Sequence, residues 1–164
     1  MDDWTEAEKV LRTWERRSRE SQVAHYTAAD RHRLKDRLLG IPAIVLSTVV
    51  GTSVFATLQK ELDPKWKILI ASFSILAAAL MTLHTSMGFA DRAERHRSSG
   101  ARYAGVRRRI EEVLALPSES RGEISAMLAS IRGTMDKLAE ESPALPPGLW
   151  DRGVRPLSSE REMQ

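Results

Sequence analysis

The chain has 164 residues, 29% of them charged, a formal net charge of +3 and no cysteine. Without cysteine there are no disulfides and no thiolate metal centres, and so small a net charge, with no aromatic platform beside the basic residues, argues against nucleic-acid binding. One-domain length and a negative mean hydropathy describe an ordinary soluble helical protein only because they average an uncharged middle with highly charged ends.

In chain order, residues 1–37 read as a helix. From Trp4 to Arg37 there is no Pro or Gly, and charges of both signs are dense, so nothing interrupts it and i,i+4 pairs decorate its solvated face. Trp4, Ala7, Leu11 and Trp14 recur at three- and four-residue steps and make an apolar face. Beyond them the same register meets Ser18, Ser21, His25, Ala28 and His32, a thin polar seam that needs neighbouring helices to be buried. His25 and His32 share that face, but no carboxylate stands beside them at ligand spacing, so both read as bundle residues rather than metal ligands.

Two apolar runs follow, residues 38–58 and 68–89, neither containing Asp, Glu, Lys or Arg. As helices they span about 31–33 Å, close to the hydrocarbon thickness of a bilayer. They read as a transmembrane hairpin, with residues 59–67 as the external loop, Asp63-Pro64 as its turn and Trp66 as an interfacial anchor. Arg31, Arg33, Lys35 and Arg37 precede the hairpin and Arg92, Arg95, Arg97 and Arg102 follow it, so the positive-inside rule puts both termini in the cytoplasm. A signal peptide is not expected, since the first run starts only after 37 largely polar residues.

The two spans differ. On the first, Gly40, Ala43, Ser47 and Gly51 form a small-residue ladder suited to close helix packing. On the second, Leu69, Leu76, Leu80, Leu83 and Met87 make a bulky stripe, and Ser74, Ala78, Thr82 and Thr85 lie opposite. That small, hydroxylated face has two uses, helix packing or the wall of a pore, and a pore requires at least four copies around an axis. His84 is the one ionisable side chain within the runs. It is either a pH-sensing gate or, lying near the cytoplasmic end at the edge of the bulky stripe, a group that snorkels to the headgroups.

The second span is expected to run on without a break into the cytoplasmic residues 90–142. There His96, Tyr103 and Ile110 repeat at seven, as do Ser99, Val106 and Val113, until Pro117. Ser120-x-x-Glu123 reads as a capping box opening a further helix with Ile124, Ile131 and Leu138 on its seam, closed by Ser142-Pro143. Residues 143–164 form a Pro-rich tail whose docking residues are Leu145, Leu149 and Trp150. Arg102, Arg107, Arg108 and Arg109 are the densest basic cluster. They fit an anionic ligand or lipid headgroup, or serve topology and pair with Glu111 and Glu112. No phosphate-binding glycine loop, GxSxG or HExxH is present, so no enzymatic activity, catalytic residue, metal or other cofactor is expected.

Gly40-Ile41-Pro42, Gly51, the His25-Tyr26 pair and the His96 to Tyr103 segment together resemble the SLATT family, bacterial two-transmembrane effector domains associated with nucleotide-second-messenger and SLOG defence systems. The resemblance covers about residues 4–142. It implies an effector of antiviral conflict that oligomerises into a pore or disrupts the inner membrane, triggered through its cytoplasmic part by a separate sensor or messenger-producing protein. The expected fold is an all-α membrane protein, with a two-helix transmembrane hairpin and a cytoplasmic bundle of the N-terminal helix, the extension of the second span and a C-terminal helix. A non-conducting membrane scaffold that recruits a soluble partner is the alternative.

Overall fold

The computed structural model describes residues 3–57, 63–117, 120–146 and 148–149, and among them there is no strand. Four long helices account for most of them: α1 (Asp3–Thr57), α2 (Pro64–Met87), α3 (Phe89–Ala115) and α4 (Ile124–Glu141). They fall into two compact units, one of Met1–Asp30 with Ala93–Gln164 and one of Arg31–Arg92. The N-terminal charged helix and the first apolar run are thus one element, α1, continuing through Pro42. Proline there lacks the N–H that would reach the Leu38 carbonyl, but the rest of the ladder is kept.

In the first unit α1, α3 and α4 share one core. Leu11 clusters with Tyr103, Val106 and Ile110 of α3 and Ile131 and Leu138 of α4, with Trp14, Val113, Met127 and Met135 packed around them. The sevenfold repeats on α3 and α4 are this seam, and each fully buried Leu or Ile contributes about 1.5–3 kcal/mol. Farther along, the seam narrows. Ser18, Ala24, Ala28 and Ala29 of α1 and Ala93, Ser99 and Ala104 of α3 are all buried. A Cβ on Gly100 would stand 3.3 Å from the Tyr26 ring and 3.4 Å from the Gln22 carbonyl, so glycine is what lets the two helices approach this closely.

Two local expectations need correction. The capping box does not form: α4 starts at Ile124, Glu123 occupies the cap position without a side-chain cap bond, and its carboxylate accepts from the Ser125 hydroxyl. The reason is upstream, where the Ser120 N–H is taken by the Pro117 carbonyl at 2.9 Å and Gly122 turns the chain at φ +73°. The work of holding this connection falls to Arg121. Its Nε donates to the Leu116 carbonyl at 2.7 Å, Nη2 to the Leu114 carbonyl at 3.2 Å and Nη1 to Glu8 at 2.5 Å, while the guanidinium lies 5.2 Å from the Trp4 ring centroid. A cation at this end of α3 answers carbonyls that have no helical partner and suits the helix dipole. Of the tail, Leu149 is buried and Leu145 half-buried; Trp150 and residues 151–164 lie outside the described residues.

The second unit is an antiparallel pair. Gly40 lies against the ring of His84, and at the other end Val49, Val50 and Ser53 share a cavity of about 190 Å³ with Trp66, Ile70 and Phe73. The expected loop 59–67 is helical from Pro64: Asp63 caps α2 by accepting from the Lys65 N–H at 2.8 Å, and proline suits the first helical position. Residues 58–62 lie outside the described residues. The expected unbroken helix after Phe89 is also corrected, because α2 ends at Met87 and Gly88 adopts a left-handed conformation, φ 56° and ψ 37°. Only glycine takes this geometry without strain. Among the described residues one stretch, Pro64–Ala115, is long and apolar enough to cross a membrane, and 6% of its apolar window is buried within the chain. The core helix of a soluble protein would be mostly covered.

Replacing Arg121 by methionine leaves the Leu114 and Leu116 carbonyls and Glu8 without their partner. The expected loss is about 2–4 kcal/mol, read as a lowered denaturation midpoint of the detergent-solubilised chain. Arg132→Met, at an exposed position of α4, should leave the midpoint almost unchanged.

Candidate functional site

Between them α1 and α3 enclose two imidazoles. His25 Nδ1 and His96 Nδ1 are 3.0 Å apart, and the residues are 3% and 4% exposed. Two Nδ1 atoms at this distance share one proton, so one ring carries its hydrogen on Nδ1 and the other presents a bare Nδ1 to it. Tyr103 stacks on His25 at a centroid distance of 5.6 Å and an interplanar angle of 16°. Burial, and next the proximity of His96, push the His25 pKa down from 6.5 to about 4. Both rings therefore stay put only while at least one is neutral. The heptad spacing identified these positions as seam residues; it gave no sign that two of them meet.

A second polar cluster lies at one end of the α1–α2 pair. The His84 Nε2–H donates to Asp36 Oδ1 at 3.0 Å. A Cβ on Gly40 would come within 3.0 Å of the same Nε2, so the glycine leaves room for the ring. His84 thus faces α1, where Asp36, one turn before Gly40, offers a carboxylate. Next to it His32 packs on Phe89 at 6.0 Å and Lys35 lies 5.8 Å from the centre of the same ring. Burial, followed by Lys35 and Arg92, lowers the His32 pKa. Asp36 was missed by sequence reading; its signal was a lone acid four residues ahead of a glycine at the rim of an apolar run.

The two ladders are divided by the structure. Gly40 and Ala43 are buried, whereas Ser47 and Gly51 are exposed within the single chain. The covered positions of α1 run 36, 39, 40, 43, 46, 50 and 53, closer to a 3.5-residue period than the 40-43-47-51 spacing. On α2, Ser74 is half-buried beside Ile70 and Ala77, and Ala78, Thr82 and Thr85 are exposed. Several hydroxyls are satisfied within their own helix: Ser74 donates to the Ile70 carbonyl at 2.8 Å, Thr82 to Ala78 at 2.8 Å and Thr48 to Ile44 at 2.9 Å. Such back-bonding removes the cost of placing a hydroxyl in an apolar medium.

The four arginines diverge. Arg102 pairs with Glu141 of α4 at 2.6 Å, Arg109 donates to the Ser130 hydroxyl at 3.1 Å, Arg107 pairs with Glu111 along α3 at 3.3 Å, and Arg108 is exposed. Among the described residues no three His, Cys, Asp or Glu side chains are grouped to hold a metal ion.

The model of the family described as SMODS and SLOG-associating 2TM effector domain family 4 matches residues 8–141. No curated protein matches the chain, and no solved structure does.

The His25 shift fixes a pH dependence. Its folded pKa lies below the unfolded value of 6.5, so the unfolded chain binds the proton more tightly, and stability is complete above pH 6.5 and falls as pH drops towards 4. By pH 4 this costs the fold on the order of 3 kcal/mol. His25→Asn, which keeps a neutral polar group near the Nδ1 position, should flatten this part of a stability-against-pH profile measured by denaturant titration.

Proposed function

Since the chain belongs to the SMODS and SLOG-associating 2TM effector domain family 4, an effector family of antiviral conflict systems, we propose that it is an oligomeric pore-forming effector of the bacterial inner membrane. In this reading α1 from about residue 38 and α2 both span the bilayer, and both termini are cytoplasmic. The unit of α1, α3 and α4 receives the trigger from a separate sensor or from a messenger-producing protein. The observation that carries the pore is the bare face of α2. Contact with α1 uses Ile70, Ala77 and His84, which leaves Ala78, Thr82 and Thr85 exposed in the chain and available to a neighbouring copy or a central axis. Ser74 sits at the border of that face. Helices spaced 8–10 Å apart in a ring leave a free radius of about 1–2 Å with four copies and about 4 Å with six.

The remaining assignments follow from the same geometry. Gly40 and Ala43 pack α1 on α2, Ser47 and Gly51 are left for contacts between copies, and His84 with Asp36 forms the polar latch at the cytoplasmic end of the spans. The His25–His96 pair would hold the receiving unit in one packing. With a His25 pKa of about 4, that pair keeps its single shared proton at cytoplasmic pH.

One observation favours a second reading, a non-conducting scaffold: the Ser74 and Thr82 hydroxyls already bond to their own helix and do not require water. Dye-loaded liposomes separate the two. A pore releases dye when the partner system is activated, and Thr82→Leu reduces release about tenfold or more while crosslinked oligomers persist. A scaffold releases none, and its recruitment of partner survives replacement of α2 by an unrelated transmembrane helix.

A further inference from the structure

Outside the features used so far, α3 and α4 enclose a groove of about 300 Å³. Arg102, Gly105 and Arg109 line one side, Thr134 and Lys137 the other, and Val106 the floor. The sequence cluster of four arginines contributes only two of these cations; the third comes from α4. The Glu141 carboxylate lies within reach, 2.6 Å from Arg102 and 3.8 Å from Lys137. Its hydrogen bond with Arg102 holds the carboxyl below the usual carboxylate range, so it is an anion throughout the physiological range. Arg109 makes its hydrogen bond to a neutral hydroxyl, that of Ser130. Over Gly105 there is no atom within 4 Å of where a Cβ would stand, so the space above the helix backbone is open.

We propose that this groove is a phosphate-binding site, in which Arg102, Arg109 and Lys137 take a phosphate-bearing ligand in exchange for the Glu141 carboxylate. A carboxylate shared by an arginine and a lysine is the arrangement a phosphate oxygen adopts between the same groups, and a phosphate brings more charge and more acceptor atoms. Arg102 and Arg109 are two turns apart, about 10 Å along α3, which suits two phosphates in series or one phosphate on an extended group. The source is either a soluble phosphate ester or a lipid headgroup. The site is independent of whether α2 lines a pore.

The full chain in phosphatidylcholine nanodiscs, titrated with pyrophosphate by calorimetry, tests this. Binding is expected, with Arg102→Gln and Lys137→Gln each weakening it about tenfold or more and Glu141→Gln strengthening it by removing the internal competitor. Gly105→Leu keeps every charge and abolishes binding by filling the groove. Arg108→Gln makes the same charge change outside the groove and leaves affinity unaltered. Nanodiscs containing phosphatidylglycerol distinguish the sources: if that lipid lowers pyrophosphate affinity, and the effect vanishes in Arg102→Gln, the ligand is a headgroup; an affinity indifferent to lipid identifies a soluble ester. The proposal is overturned if pyrophosphate does not bind and phosphatidylglycerol makes no Arg102-dependent contact, or if Arg108→Gln weakens binding as much as Arg102→Gln.

Discussion

The closeness of α1 and α3 is the constraint on which the α1–α3–α4 unit depends. Alanine and serine on both helices, and Gly100 of α3 against Tyr26, remove the bulk that would hold the backbones apart. Close helices leave no room for water between them, so the polar groups caught there must answer one another. His25 and His96 do so with a single shared proton, and Tyr103 covers the pair. The aliphatic core of Leu11, Ile110, Ile131 and Leu138 supplies most of the hydrophobic stabilisation. The histidine pair supplies specificity of another kind, since sliding α1 by one residue along α3 would break the buried His25–His96 hydrogen bond.

The α1–α2 pair solves a related problem differently. Hydroxyls such as those of Thr48, Ser74 and Thr82 turn back on carbonyls one turn earlier, so the apolar stretches carry them at little cost. The other polar groups of the pair that meet across the helices are gathered at one end, in His84, Asp36, His32 and Lys35. A helix pair built this way tolerates hydrocarbon along its length and water at its rim.

Much of this was legible from periodicity. The heptads His96-Tyr103-Ile110 and Ile124-Ile131-Leu138 are the seam of α3 and α4, and the thin register Ser18-His25-Ala28 is indeed the face α1 buries. Periodicity names a face but not what that face meets. It therefore could not pair His25 with His96, or Asp36 with His84, because each contact joins residues far apart in the chain and depends on register between helices. It failed also where one local preference displaced another: Ser120 and Glu123 have the right spacing for a cap, but Pro117 and Gly122 had already bent the chain. Arg121 was silent for the same reason, its partners being backbone carbonyls that a sequence does not display. The basic run Arg107-Arg108-Arg109 looked like one patch, yet successive residues on a helix point about 100° apart, and the three side chains go to different places.

Gly88 decides which residues of the returning chain look inward. On α2 the covered positions include 70, 77 and 84, and counting on by sevens would bring Asp91, Ser98 and Gly105 to the seam, of which Asp91 and Ser98 are exposed. The residues that are buried, Phe89, His96, Tyr103 and Ile110, belong to a different phase of the same repeat, which counted backwards falls on Thr82. A single left-handed residue shifts the phase by two positions. The sequence therefore carries two interleaved heptad frames, and Gly88 is the splice between them: the frame that leaves Thr82 outward in one segment turns His96 and Tyr103 inward in the next.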